Sequence, residues 1–70
     1  MTKQDRIEIS NELGKKRVEK KTGEKVEYIT SYIERCFEGV EWIVRIYQDK
    51  QGKKYEYHEM KRDRRYWFIV

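Results

Sequence analysis

Apolar residues follow two rhythms along this chain, and the change between them divides it. Over residues 3–21 they are sparse. Ile7, Leu13 and Val18 follow one another at steps of six and five, with Ile9 alongside. Glu, Lys, Gln and Arg fill the gaps and favour helix. The pattern predicts a helix with a ragged apolar stripe. Gly14 lies inside it, at a cost of about 1 kcal/mol relative to Ala. From Val40 the period becomes two. Trp42, Val44 and Ile46 fall on one face of a strand over Val40–Gln48. Asp49-Lys50-Gln51-Gly52 reads as a hairpin turn, with Gly52 able to take the left-handed position. Lys53–Met60 is then the returning strand, 61–64 a polar turn and Arg65–Val70 a last strand.

Residues 24–37 support two readings. Val26, Ile29, Ile33 and Phe37 sit at i, i+3, i+7 and i+11, with Cys36 alongside. That spacing predicts a second helix, stopped by Gly39. The alternative is a long strand turning at Glu38-Gly39, since Tyr28, Ile29, Thr30, Tyr32 and Ile33 are strand formers. Either way the expected fold is α+β: an N-terminal helix on an antiparallel meander of three to four strands, as one domain over 1–70. Trp42, Val44, Ile46, Ile29, Ile33, Phe37 and Phe68 are the expected core.

A chain of 70 residues buries only about 60% of its unfolded surface. Its core rarely supplies more than about 3–5 kcal/mol. One cysteine and one histidine leave no intrachain disulfide and no closed Cys/His zinc site. No cofactor is expected. Association with a second copy or a larger protein is the remaining source of stability. The single cysteine and polar start predict a cytoplasmic protein, and no apolar run approaches the ~20 residues that span a bilayer.

Charge alters this picture in its distribution more than its sum. The net charge is +4, but residues 1–25 and 49–70 each carry +3, and 26–48 carry −2. Basic ends flank an apolar middle, which favours acidic partners, nucleic acid among them. Lys53, Lys54, Lys61, Arg62, Arg64 and Arg65 alternate with rings, and each phosphate they neutralise would release counterions. Tyr55, Tyr57, Tyr66 and Trp67 are candidates to stack on unpaired bases. Lys15, Lys16, Arg17, Lys20 and Lys21 form a second cationic cluster at the end of the first helix. The bland reading is a solvated helix face and sheet residues with solubilising edge charges.

In Tyr66-Trp67-Phe68-Ile69-Val70 both faces of a strand are apolar. Such a strand needs cover on both sides. Tyr66, Trp67 and Ile69 are therefore candidates for a dimer or partner interface, with Trp67 packed against the helix as the alternative. Cys36 is expected to be a packed thiol and His58 an exposed side chain. The chain carries no phosphate loop, no Gly-x-Ser-x-Gly turn and no His-Glu-x-x-His. The expected function is thus a small non-catalytic binding protein that contacts nucleic acid. The alternatives are a protein-binding adaptor, a small inhibitor of a larger enzyme of the phage or mobile-element kind, and a structural homodimer.

Overall fold

A computed structural model describes residues 2–70. One helix, α1 (Lys3–Thr22), lies on a sheet of four strands: β1 (Val26–Arg35), β2 (Glu41–Asp49), β3 (Lys54–Met60) and β4 (Trp67–Ile69). The strands are antiparallel and lie side by side in chain order, which is the expected α+β meander. Helix α1 starts on a capping box. The Thr2 hydroxyl accepts from the Asp5 amide at 3.1 Å, and the Asp5 carboxylate accepts from the Thr2 amide at 3.2 Å. It stops at Gly23, whose φ of 77° is the left-handed form that ends helices.

Residues 24–37 do not form a second helix. Val26–Arg35 is strand β1, followed by one 3-10 turn over Phe37–Gly39. The strand formers in this segment prevail because β2 offers them nine paired positions. A register shift between Tyr28 and Thr30 breaks the alternation. It moves Ile33 onto the same face as Val26, which accounts for the helix-like spacing in the sequence.

The sheet's sidedness differs from expectation. Helix α1 covers the face that bears Val26, Arg45, Tyr47, Tyr55, Tyr57 and Glu59. There Val18, Val26, Tyr47, Tyr55 and Tyr57 make the core, with Ile69 packed against it. Trp42, Val44 and Ile46 do share a face, but it is the one turned away from the helix. Val44 is buried among its strand neighbours, while Trp42 and Ile46 are half-buried. Ile29, Ile33, Phe37 and Phe68 are exposed rather than in the core, Phe37 to 90%.

The reason lies in the polar tips of the covered face. The Tyr47 hydroxyl donates to the Asn11 carbonyl at 2.7 Å, and Arg17 donates to the Tyr57 hydroxyl. Arg45 donates to Glu59 at 2.8 Å and to the Asn11 side chain at 3.0 Å. A helix offers those groups partners that a second apolar layer would not. Gly14 permits the close approach, since a Cβ there would overlap the Tyr47 hydroxyl.

Candidate nucleic-acid interface

The cations of α1 are sorted by azimuth. Each residue turns the helix by about 100°. Lys3, Arg6, Arg17, Lys20 and Lys21 then fall within a sector of about 100°, while Asp5, Glu8, Glu12 and Glu19 fall within about 60° on the far side. The cationic sector is the edge of α1 that meets β4 and the loop before it. Ser10, in the same sector, accepts from Arg64 at 3.3 Å. Further along, the Arg17 guanidinium lies 4.6 Å over the Trp67 ring. Arg17, Lys20, Lys21 and Trp67 line one shallow cleft. Lys3, Arg6 and Arg64 line a groove of about 440 Å³ at the other end of the helix, floored by Ile7, Ile33 and Ile43. From Lys3 to Lys21 the row is about 27 Å long, at about 1.5 Å per residue.

Lys15 and Lys16 do not join it. They leave the helix on either side of the acidic sector, so the late cluster of five cations divides into three and two. Lys3 and Arg6 belong to the row although sequence reasoning did not single them out. The 3-and-4 spacing through Lys3, Arg6, Ser10, Leu13, Arg17 and Lys20 was the available signal.

The C-terminal cations divide as well. Lys53 and Lys54 flank the β2–β3 turn, and the 61–66 loop is at the other end of β3, about 20 Å away at strand rise. Lys53 sits 5.3 Å over the Tyr55 ring. Within the loop, Arg65 is held by Asp63 at 2.7 Å, and Lys61 lies 3.8 Å from Glu41. The Arg65 bond holds the Asp63 carboxyl below its ordinary range. Among the described residues Arg62 and Arg64 have no carboxylate partner, and Arg64 alone of the two lines the helix groove.

The tyrosines expected to stack on bases are mostly unavailable for it. Tyr55 and Tyr57 point under α1, with Tyr57 only 1% exposed. Alternation in β3 still puts them on one face, but register with β2 turns that face inward. Burial raises both phenols above their ordinary pKa. Hydrogen bonding to Asp49 adds to the rise at Tyr55, and the Arg17 bond opposes it at Tyr57. Trp67 stacks on Tyr57 at 5.6 Å and carries Arg17, so its role is to hold that guanidinium in place. Tyr66 remains exposed.

Two further expectations are corrected. Cys36 is an exposed thiol, because the strand ends before it and the 3-10 turn carries it out of the sheet. His58 is only 8% exposed. Phe68 stacks on its ring at 4.5 Å, and Glu56 bonds it at 3.0 Å. The expected interface also changes. Ile69 packs against the core on the helix side, and Trp67 lies on the same face but stays 38% exposed, because β4 pairs them with Tyr57 and Glu59.

No family model, curated protein or solved structure matches this chain. Among the described residues no helix is long and apolar enough to cross a membrane, and no three His, Cys, Asp or Glu side chains group as metal ligands do.

Proposed function

We propose that this chain is a small, non-catalytic, cytoplasmic protein that binds the phosphate backbone of nucleic acid along the cationic edge of α1. The supporting observation is the alignment of that edge with Arg64 and with the Arg17–Trp67 pair. A row about 27 Å long would span roughly eight base steps at 3.4 Å each. Phosphate contacts of this kind position a protein without reading sequence. Burial of Tyr55 and Tyr57 turns the reading away from base stacking and towards duplex backbone. The exposed thiol of Cys36 suits a reducing compartment.

The test is a fluorescence-anisotropy titration against labelled duplex and single-stranded DNA and RNA, at about 50 and about 200 mM salt, where phosphate contacts lose most affinity. Duplex is expected to bind more tightly, with little sequence preference. Each of Arg6→Ala, Lys20→Ala and Arg64→Ala should lower the salt slope by about one. Lys16→Ala, outside the row, should lower it less. A triple variant of the row with unchanged affinity and slope would remove the basis of the proposal and direct the search to protein partners.

A further inference from the structure

The groove at the N-terminal end of α1 combines alkyl surface with uncompensated charge. It lies between the helix and strands β1 and β2, with a volume of about 440 Å³. Small-ligand sites span about 300–1,000 Å³. Ile7, Ile33 and Ile43 give it an apolar floor, and Ile7 and Ile33 are left 43% and 53% exposed. Lys3, Arg6 and Arg64 stand around that floor, and no carboxylate lines the groove. Among the described residues none of these three cations is ion-paired. Arg64 donates to the Ser10 hydroxyl at 3.3 Å, a neutral acceptor that leaves its charge uncompensated.

A buried group also reaches this groove. Arg45 is only 5% exposed and lines it. Its Nε donates to Asn11 and its Nη1 to Glu59, which leaves Nη2 without a protein partner. Among the described residues no sealed side-chain nitrogen or oxygen lacks a hydrogen bond, so Nη2 is open to the groove. A guanidinium N–H in that position calls for an acceptor. Alkyl surface ringed by free cations is complementary to a molecule with an apolar chain and a negative head. A phosphate backbone alone would engage the cations and leave the isoleucines wet. We propose that the groove binds an aliphatic carboxylate, taken up as a single free chain. The carboxylate accepts from Arg6 and Arg64 at the rim and from Nη2 of Arg45. The alkyl chain covers Ile7, Ile33 and Ile43. This site goes beyond the nucleic-acid reading and stands without it, although Arg6 and Arg64 serve in both.

Decanoate is the probe, titrated below its micelle concentration into the full chain with no nucleic acid present. The methyl NMR signals of Ile7, Ile33 and Ile43 should shift together on one binding curve. Affinity should fall about two- to fourfold for each methylene removed on going to octanoate and hexanoate. Decyltrimethylammonium, with the same chain and the opposite charge, should leave those signals in place. Arg64→Ala should weaken decanoate by about fivefold, the upper worth of an exposed charged contact. Ile33→Glu, at an exposed position, should abolish binding. No shift at millimolar decanoate, or equal shifts with decyltrimethylammonium, would overturn the proposal. So would capture by phosphatidylglycerol vesicles without binding of free decanoate, which would make the groove a membrane contact. None of these outcomes alters the salt slopes expected with duplex, so this proposal and the nucleic-acid reading fail separately.

Discussion

Arg45 and Glu59 form an ion pair with both side chains at most 6% exposed, on the face beneath the helix. Breaking a buried pair leaves a charge without a partner, at a cost of roughly 3–5 kcal/mol. That is comparable to the whole stability of a domain this size. Glu59→Gln is therefore expected to leave the chain largely unfolded, as read by far-UV circular dichroism. Arg45→Met with Glu59→Leu should recover most of the loss, because it removes both charges together. A stable Glu59→Gln protein would show the pair to be dispensable. The tyrosines set a second, pH-dependent limit. Burial raises the hydroxyl pKa of Tyr47, Tyr57 and Tyr55, so the fold favours the neutral phenols. Their contribution is complete below the unfolded value of about 10 and is lost as pH rises above it. Urea midpoints should hold steady up to about pH 9 and then fall, most steeply in the parent and less so in Tyr47→Phe. A flat profile through about pH 11 would contradict the buried-phenol account.

At the scale of elements, helix α1 departs from the usual logic of a surface helix. Its apolar stripe is thin, and Ile7, Ile9 and Leu13 remain exposed. What seats it is Gly14, which lets Tyr47 and Tyr57 come close enough to bond its backbone and Arg17. Gly14→Ala sets two effects against each other. Alanine gains about 0.5–1 kcal/mol of helix propensity. Overpacking against a bonded tyrosine costs about 1–3 kcal/mol. The clash is the larger, so the variant should lose roughly 1 kcal/mol in urea denaturation. A stabilised variant would mean that the helix sits further from the sheet. Strand β1 is the opposite case, with Val26 its one buried residue and a long exposed edge. It is held by pairing to β2 more than by burial.

For the molecule as a whole, the two layers divide the labour of charge. Cations line the side of the helix nearest β4, acids line another side, where Glu19 accepts from the Val26 amide of β1, and the apolar core lies between helix and sheet. A single layer of helix over four strands gives a flat body, 36 × 31 × 19 Å. Such a body offers two broad surfaces of different chemistry. The helix side carries the cationic edge proposed to meet phosphates.

Most of the elements were legible in the sequence, because period and punctuation are local. The helix over residues 3–21, the strand through Trp42, Val44 and Ile46, the turn at Asp49–Gly52 and the return to Met60 all follow from neighbouring residues. Their propensities and hydrogen bonds act within a few positions. The alternation also put Tyr55 with Tyr57, and Trp67 with Ile69, on shared faces. Which face the helix would cover was a tertiary decision. It turned on where Tyr47, Tyr57 and Arg45 find hydrogen-bond partners 34 to 40 residues away. The same long-range pairing made residues 26–35 a strand against their helical spacing, buried His58 and two candidate stacking rings, and brought Arg64 and Trp67 to the helix. Local sequence sets the period of an element; only the partner across the fold sets which side of it is inside.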